Sequence, residues 1–120
     1  MGAYLKKEFL VEDKHSAKQV GSGDLKVLST PSLIAFMENV AKELVAENLE
    51  SNETTVGIDL NVKHVKATAV GKKVRVEATL TEQNKAILLY EISAYEEKEL
   101  IGKGTHKRAI VNASQFMENL

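Results

Sequence analysis

Only one stretch of this chain repeats at helical spacing. Between residues 31 and 48, Leu33, Ile34, Met37, Val40, Ala41, Leu44 and Val45 fall within a broad apolar arc, with Asn39, Lys42 and Glu43 opposite. An arc that wide needs cover around most of the helix, and no second helix is available to supply it. Thr30 suits an N-cap and Pro31 a first helical position, so the start is well marked.

The cover has to come from strands. Residues 4 to 12, YLKKEFLVE, read as a short strand with Leu5, Phe9 and Val11 on one face. The HSAKQVGSGDL segment after it carries Gly21, Ser22, Gly23 and Asp24 and reads as loop. Past the helix, strict alternation in TVGIDLNVKHV puts Val56, Ile58, Leu60, Val62 and His64 on one face. After a turn near Gly71, Val74, Val76, Ala78 and Leu80 alternate in the same way. Asn84 and Lys85 mark a hairpin into AILLYEISAYE, which is apolar on both faces and so suits a central position. Leu100 to Val111 forms the last strand, where Gly102 and Gly104 leave room for a close approach or a bulge. The order is one strand, a long loop, the helix, then four strands with short connections. That is an α+β fold, an antiparallel sheet wrapped around one long helix. No linker or repeat divides residues 1 to 120, which read as a single domain large enough for a real core.

Composition removes several functions. The chain has no cysteine, hence no disulfide framework, thiolate nucleophile or cysteine-bound metal. Its 16 basic and 17 acidic residues give no pull toward nucleic acid or an anionic membrane. No apolar run approaches the ~20 residues that span a bilayer. The N-terminal residues mix charge with apolar side chains and carry no signal-peptide core. The Met1-Gly2 start lacks the Ser or Thr at Leu5 or Lys6 that would favour myristoylation. The expected compartment is the cytoplasm. His15, His64 and His106 are too scattered to form a metal set, and none is expected. The GSG at residues 21 to 23 lacks the lysine and spacing of a phosphate loop, and no GxSxG or HExxH motif occurs.

Three polar residues stand at odds with their surroundings. Thr30 opens the helix, Glu38 sits on the shoulder of its apolar arc, and His64 ends an otherwise apolar strand face. Each has an ordinary explanation: a cap, a carboxylate reaching for water, and a histidine bonded to a carbonyl. Together they are the parts of an acyl-transfer site. A helix N-terminus suits a developing oxyanion, a carboxylate at an apolar edge can act as base or nucleophile, and a near-neutral histidine can move protons. Lys66, Lys72, Lys73, Lys103, Lys107 and Arg108 read mostly as solvated charge, some of it able to meet ligand phosphates.

The segments VGSGDLKVLSTPSLIAFMENVAKELV, ETTVGIDLNVKHVKATAVGKKV and LIGKGTHKRAIV resemble the hot-dog-fold acyl-CoA thioesterases. The nearest branch is the one that contains fluoroacetyl-CoA thioesterase. The resemblance runs from about Val20 to Met117, and it implies a catalytic set on Thr30, Glu38 and His64. It also implies a homodimer, or a larger homo-oligomer, with acyl-CoA sites at the interface and no cofactor beyond the CoA of the substrate. Gly57 and Arg108 are expected to meet the substrate. The expected activity is hydrolysis of a small acyl-CoA; the alternative is a non-catalytic module that binds acyl-CoA or another small hydrophobic ligand. The fluoroacetyl specialist resembled here carries aromatic lid residues just before its threonine. Residues 16 to 29 hold no Phe, Tyr or Trp, and the helix carries bulky Leu33, Phe36 and Met37. A short or medium acyl group other than fluoroacetyl is therefore expected. Finally, eight helical residues separate the backbones of Thr30 and Glu38 by roughly 12 Å, so the site is expected to draw on two chains.

Overall fold

The computed structural model describes residues 3–120; Met1 and Gly2, the pair weighed above for acylation, lie outside the described residues. The elements are β1 (Tyr4–Leu10), α1 (Ala17–Val20), α2 (Thr30–Val45), β2 (Glu53–His64), β3 (Lys73–Asn84), β4 (Ile87–Glu96), β5 (Glu99–Asn112) and α3 (Ala113–Glu118). Two of these are new relative to the sequence reading. The HSAKQVGSGDL segment holds the single turn α1, capped by the Ser16 hydroxyl and ended by Gly21 in the left-handed region at φ +88. The final residues form α3, with the Asn112 side chain accepting the Gln115 amide.

The five strands form one antiparallel sheet in the order β1-β3-β4-β5-β2. β4 is central, as its two-sided apolar pattern requires. β2 lies at the far edge beside β5, although β3 follows it in sequence, so residues 65 to 72 carry the chain across the sheet. Strand alternation cannot reveal that crossing. The inner face presents Val74, Val76, Ala78, Leu80, Leu88, Tyr90, Ile92, Ala94 and Ile101 to α2. From α2, Leu33, Phe36, Met37, Val40, Ala41 and Val45 are buried against it. Each large side chain so buried stabilises the fold by about 1.5–3 kcal/mol. The sheet wraps the one helix.

The alternation in β2 breaks at one point, which corrects the sequence expectation. A bulge between Gly57 and Asp59 shifts the register against β5, with Gly57 opposite Arg108 but Asp59 opposite Lys107. The extra residue, Ile58, turns outward and is exposed, so it does not share a face with Leu60, Val62 and His64. Before the bulge, the buried Thr55 and the exposed Gly57 lie on the helix side; after it, Leu60, Val62 and His64 do. A bulge changes which side chains an edge strand aims inward. Gly104 explains part of the close pairing beside it, because a Cβ there would run into the Asn61 carbonyl of β2.

Candidate active site

The start of α2 differs in one position from the sequence expectation. Ser29, not Thr30, is the N-cap: its hydroxyl accepts the Ser32 amide at 3.1 Å and its carbonyl accepts the Leu33 amide at 3.0 Å. Ser29 is itself buried, and its own amide donates to the His15 carbonyl at 2.9 Å. Thr30 becomes the first helical residue. Its hydroxyl, released from capping, lies 2.8 Å from Nδ1 of His64. With Pro31 lacking an N–H and the next two amides held by Ser29, the Thr30 amide is the first-turn donor still available for an oxyanion.

Thr30 and His64 open onto a cleft of about 330 Å³, also lined by Ala17, Ser22, Val27 and Lys66. Burial pulls the His64 pKa below its ordinary value, and the Lys66 backbone opposes this only in part. The imidazole is therefore neutral at pH 7. Its Nε2 is buried and makes no hydrogen bond among the described residues. Lys66, on the rim, pairs with Glu99.

Glu38 occupies a different place. More than two helix turns beyond Thr30, its Oε2 lies 3.4 Å from Nη1 of Arg108, and its side chain remains 41% exposed. Gly57 makes this possible. A Cβ at position 57 would stand 2.5 Å from Glu38 Oε2 and 3.3 Å from the His106 ring. Arg108 is buried, with Nε donating to the Thr55 hydroxyl at 2.9 Å and Nη2 to the Thr55 carbonyl at 3.1 Å. Within one chain the structure thus joins Thr30 to His64, and Glu38 to Gly57 and Arg108, as two separate groups. Sequence reading missed His106 as part of the second group, although its parity with Arg108 on β5 was a visible signal. Among the described residues no cluster of three or more His, Asp or Glu could hold a metal ion, and no helix is long and apolar enough to cross a membrane.

A family model of fluoroacetyl-CoA-specific thioesterases matches residues 11–114, which include both groups. The chain belongs to this family. A fluoroacetyl-CoA thioesterase from Streptantibioticus cattleyicolor is 32% identical over 91 residues, 76% of this chain and 66% of the relative, so the chain spans about two thirds of that protein. A solved structure of the fluoroacetyl-CoA thioesterase FlK superposes with a TM-score of 0.94 at 26% identity, covering 99% of this chain and 93% of the other. A phenylalanine-to-alanine variant of FlK, in complex with fluoroacetate and CoA, gives 0.92 at 26% identity over 97% and 98% of the two chains. A Thermus thermophilus thioesterase superfamily member, 22% identical, matches at 0.89 over 98% of this chain and 87% of its own, which speaks for the fold alone. The fold is the hot dog, and with its family the chain stands among the acyl-CoA thioesterases.

The shifted cap separates stability from chemistry at the helix start. Ser29→Ala should lower the unfolding free energy by about 1 kcal/mol through loss of the cap, whereas Thr30→Ala should cost clearly less. Urea unfolding of the two variants against wild type checks this; a larger loss for Thr30→Ala would return the cap to Thr30.

Half-buried His64 and buried His106 set a pH dependence of stability. His64 and His106 both have folded pKa values below the ordinary 6.5, burial being the larger cause in each. As pH falls through 6.5 the unfolded chain binds these protons first, so stability present above that pH is lost progressively below it. The urea midpoint should drop between about pH 7 and pH 5.5, and His64→Ala should flatten the slope. An equally steep slope in that variant would exclude His64 as a source.

Proposed function

We propose that the protein is a cytoplasmic, homodimeric thioesterase that hydrolyses a short or medium acyl-CoA, with Thr30, Glu38 and His64 as its catalytic set. The observation that carries this reading is the 2.8 Å contact between Thr30 Oγ1 and His64 Nδ1 beside an open cleft. A hydroxyl that only capped the helix would not be turned to a histidine. In this reading the hydrogen bond between Thr30 Oγ1 and His64 Nδ1 holds the threonine at the mouth of the cleft, beside the thioester carbonyl. The Thr30 amide supports the oxyanion that develops there. Glu38, fixed on one oxygen and open to water, takes a proton from a water molecule as that oxygen attacks the acyl carbon. The tetrahedral intermediate then collapses with cleavage of the C–S bond, the proton taken up by Glu38 passes to the departing CoA thiolate, and the free acid remains with Glu38 again ionised.

The acyl preference rests on how fully the space between helix and sheet is packed. Leu33, Phe36 and Met37 are buried in the core, and Phe36 is stacked on Phe9 at 4.4 Å, so these side chains occupy the space that a long acyl chain would need between helix and sheet. Gly57 and Arg108 bound the Glu38 side of the site, where the acyl group would lie. The dimer is supported by two features. β2 is a 12-residue edge strand with unpaired backbone groups, and Thr30 is roughly 12 Å along the helix from Glu38. Two-fold pairing could bring the Thr30–His64 pair of one subunit to the Glu38 of the other.

Release of free thiol from a panel of acyl-CoAs tests the activity. Thr30→Ala, Glu38→Gln and His64→Ala should each lower turnover of the best substrate by about 10²–10⁴-fold while unfolding cooperatively. Wild-type rates in all three variants would remove the site assignment, and a preference for palmitoyl over acetyl to hexanoyl thioesters would remove the acyl assignment. Binding without turnover across the panel would leave the non-catalytic module as the reading.

Subunit mixing tests the composite site. Exchange of Thr30→Ala with Glu38→Gln subunits should restore activity, since each mixed dimer regains one site with both residues. Exchange of Thr30→Ala with His64→Ala should restore none, because these two residues serve the same site from the same chain. The reverse pattern, with exchange verified, would rule out this division of the site.

A further inference from the structure

Behind Glu38 lies a buried polar chain of which the catalytic reading uses only the Arg108 end. It begins at the bulge in β2, where the Asp59 carbonyl accepts a hydrogen bond from Nδ1 of His106 at 2.8 Å. A carbonyl can only accept, so Nδ1 carries the proton, and in the neutral ring Nε2 is left as an acceptor. That nitrogen lies 3.2 Å from Nη1 of Arg108, which therefore donates to it. The other side of the guanidinium is held by the hydroxyl and carbonyl of Thr55. With those directions taken, the remaining Nη1 hydrogen points to Glu38 Oε2, 3.4 Å away.

Arg108 and His106 are 6% and 2% exposed. Burying an arginine carries a desolvation cost that a merely packed core would avoid, and a hydrophobic pair would fill the same space more cheaply. What the polar pair adds is direction. Tyr90 stacks on the His106 ring with centroids 5.9 Å apart, so the imidazole is restrained from its face as well as through both nitrogens.

We infer that His106 is a positioning residue of the active site: locked as its Nδ1–H tautomer by the Asp59 carbonyl, it orients Arg108, which holds the Glu38 carboxylate for water activation. The inference rests on the reading of Glu38 as the base. It differs from a purely structural role in its consequence. A structural pair sets stability, whereas this one sets turnover through Glu38.

The test uses the full-length protein, the best acyl-CoA of the panel, and steady-state thiol release. His106→Phe keeps a ring against Tyr90 but has no nitrogen for Arg108 or Asp59. It should lower kcat by roughly 10- to 100-fold, the scale of a misplaced catalytic group, with KM changed by less than about threefold. His106→Gln can carry an acceptor to Arg108 and should recover most of kcat. His106→Asn can still serve the Asp59 carbonyl but falls short of Arg108, and should not. In a Glu38→Gln background, His106→Phe should have little further effect, because the residue it acts through is already disabled. A folded His106→Phe with wild-type kcat, beside a crippled Glu38→Gln, overturns the inference alone. So does an equal loss in both backgrounds. If His106→Phe fails to fold, equal kcat for the Asn and Gln variants overturns it instead. Undiminished turnover in Glu38→Gln would overturn the reading of Glu38, and this inference with it.

Discussion

The whole arrangement depends on the burial of α2 by the sheet. One helix supplies the core with Leu33, Phe36, Met37, Val40 and Val45, and the same helix carries Thr30 at its start and Glu38 on its shoulder. Because its apolar arc is clamped along its length, the helix cannot rotate without exposing those side chains. A rotation that moved Glu38 by even one position would expose buried residues at about 1.5–3 kcal/mol each. The rigidity that the role proposed for Glu38 needs is thus a by-product of the hydrophobic core. Functional groups borrowed from a buried scaffold keep their geometry better than groups on loops.

A second layer of order comes from the edge of the sheet. The bulge after Gly57 does three things at once. It brings Leu60, Val62 and His64 onto the inner face, presents the Asp59 carbonyl to His106, and leaves Gly57, without a side chain, opposite Arg108. Without the extra residue, His64 and Thr55 could not both face the helix. An irregularity in one strand therefore serves both polar groups of the site, Thr30 with His64 and Glu38 with Arg108. The two groups remain apart within a chain, which is the physical ground for reading the enzyme as a dimer.

Much of this was legible residue by residue. The shoulder position of Glu38 follows from helical periodicity alone, and so do the inward faces of β3 and the central position of β4. The pairing of Ser29 and Thr30 was not legible. Both are good caps, they are adjacent, and a proline follows; the choice turns on His15 and His64, whose contacts with them span 14 and 34 positions in the chain. The strict alternation read in β2 also misled, because a bulge leaves no mark in a run where every second residue is apolar. His106 shared a face with Arg108 by parity, but its role depends on a carbonyl 47 positions away.

The division is one of range. Sequence by itself determined what local stereochemistry controls: one amphipathic helix, alternating strands, their turns, and the placement of Thr30, Glu38 and His64 at the margins of apolar faces. Periods of 3.6 and 2 are properties of the backbone and are readable in any short window. Only the tertiary structure decided the strand order, the bulge, the identity of the cap, the freeing of the Thr30 hydroxyl, and the Asp59–His106–Arg108–Glu38 chain. Each of these is a competition between hydrogen-bond partners distant in sequence, and such competitions have no outcome until the sheet closes around the helix.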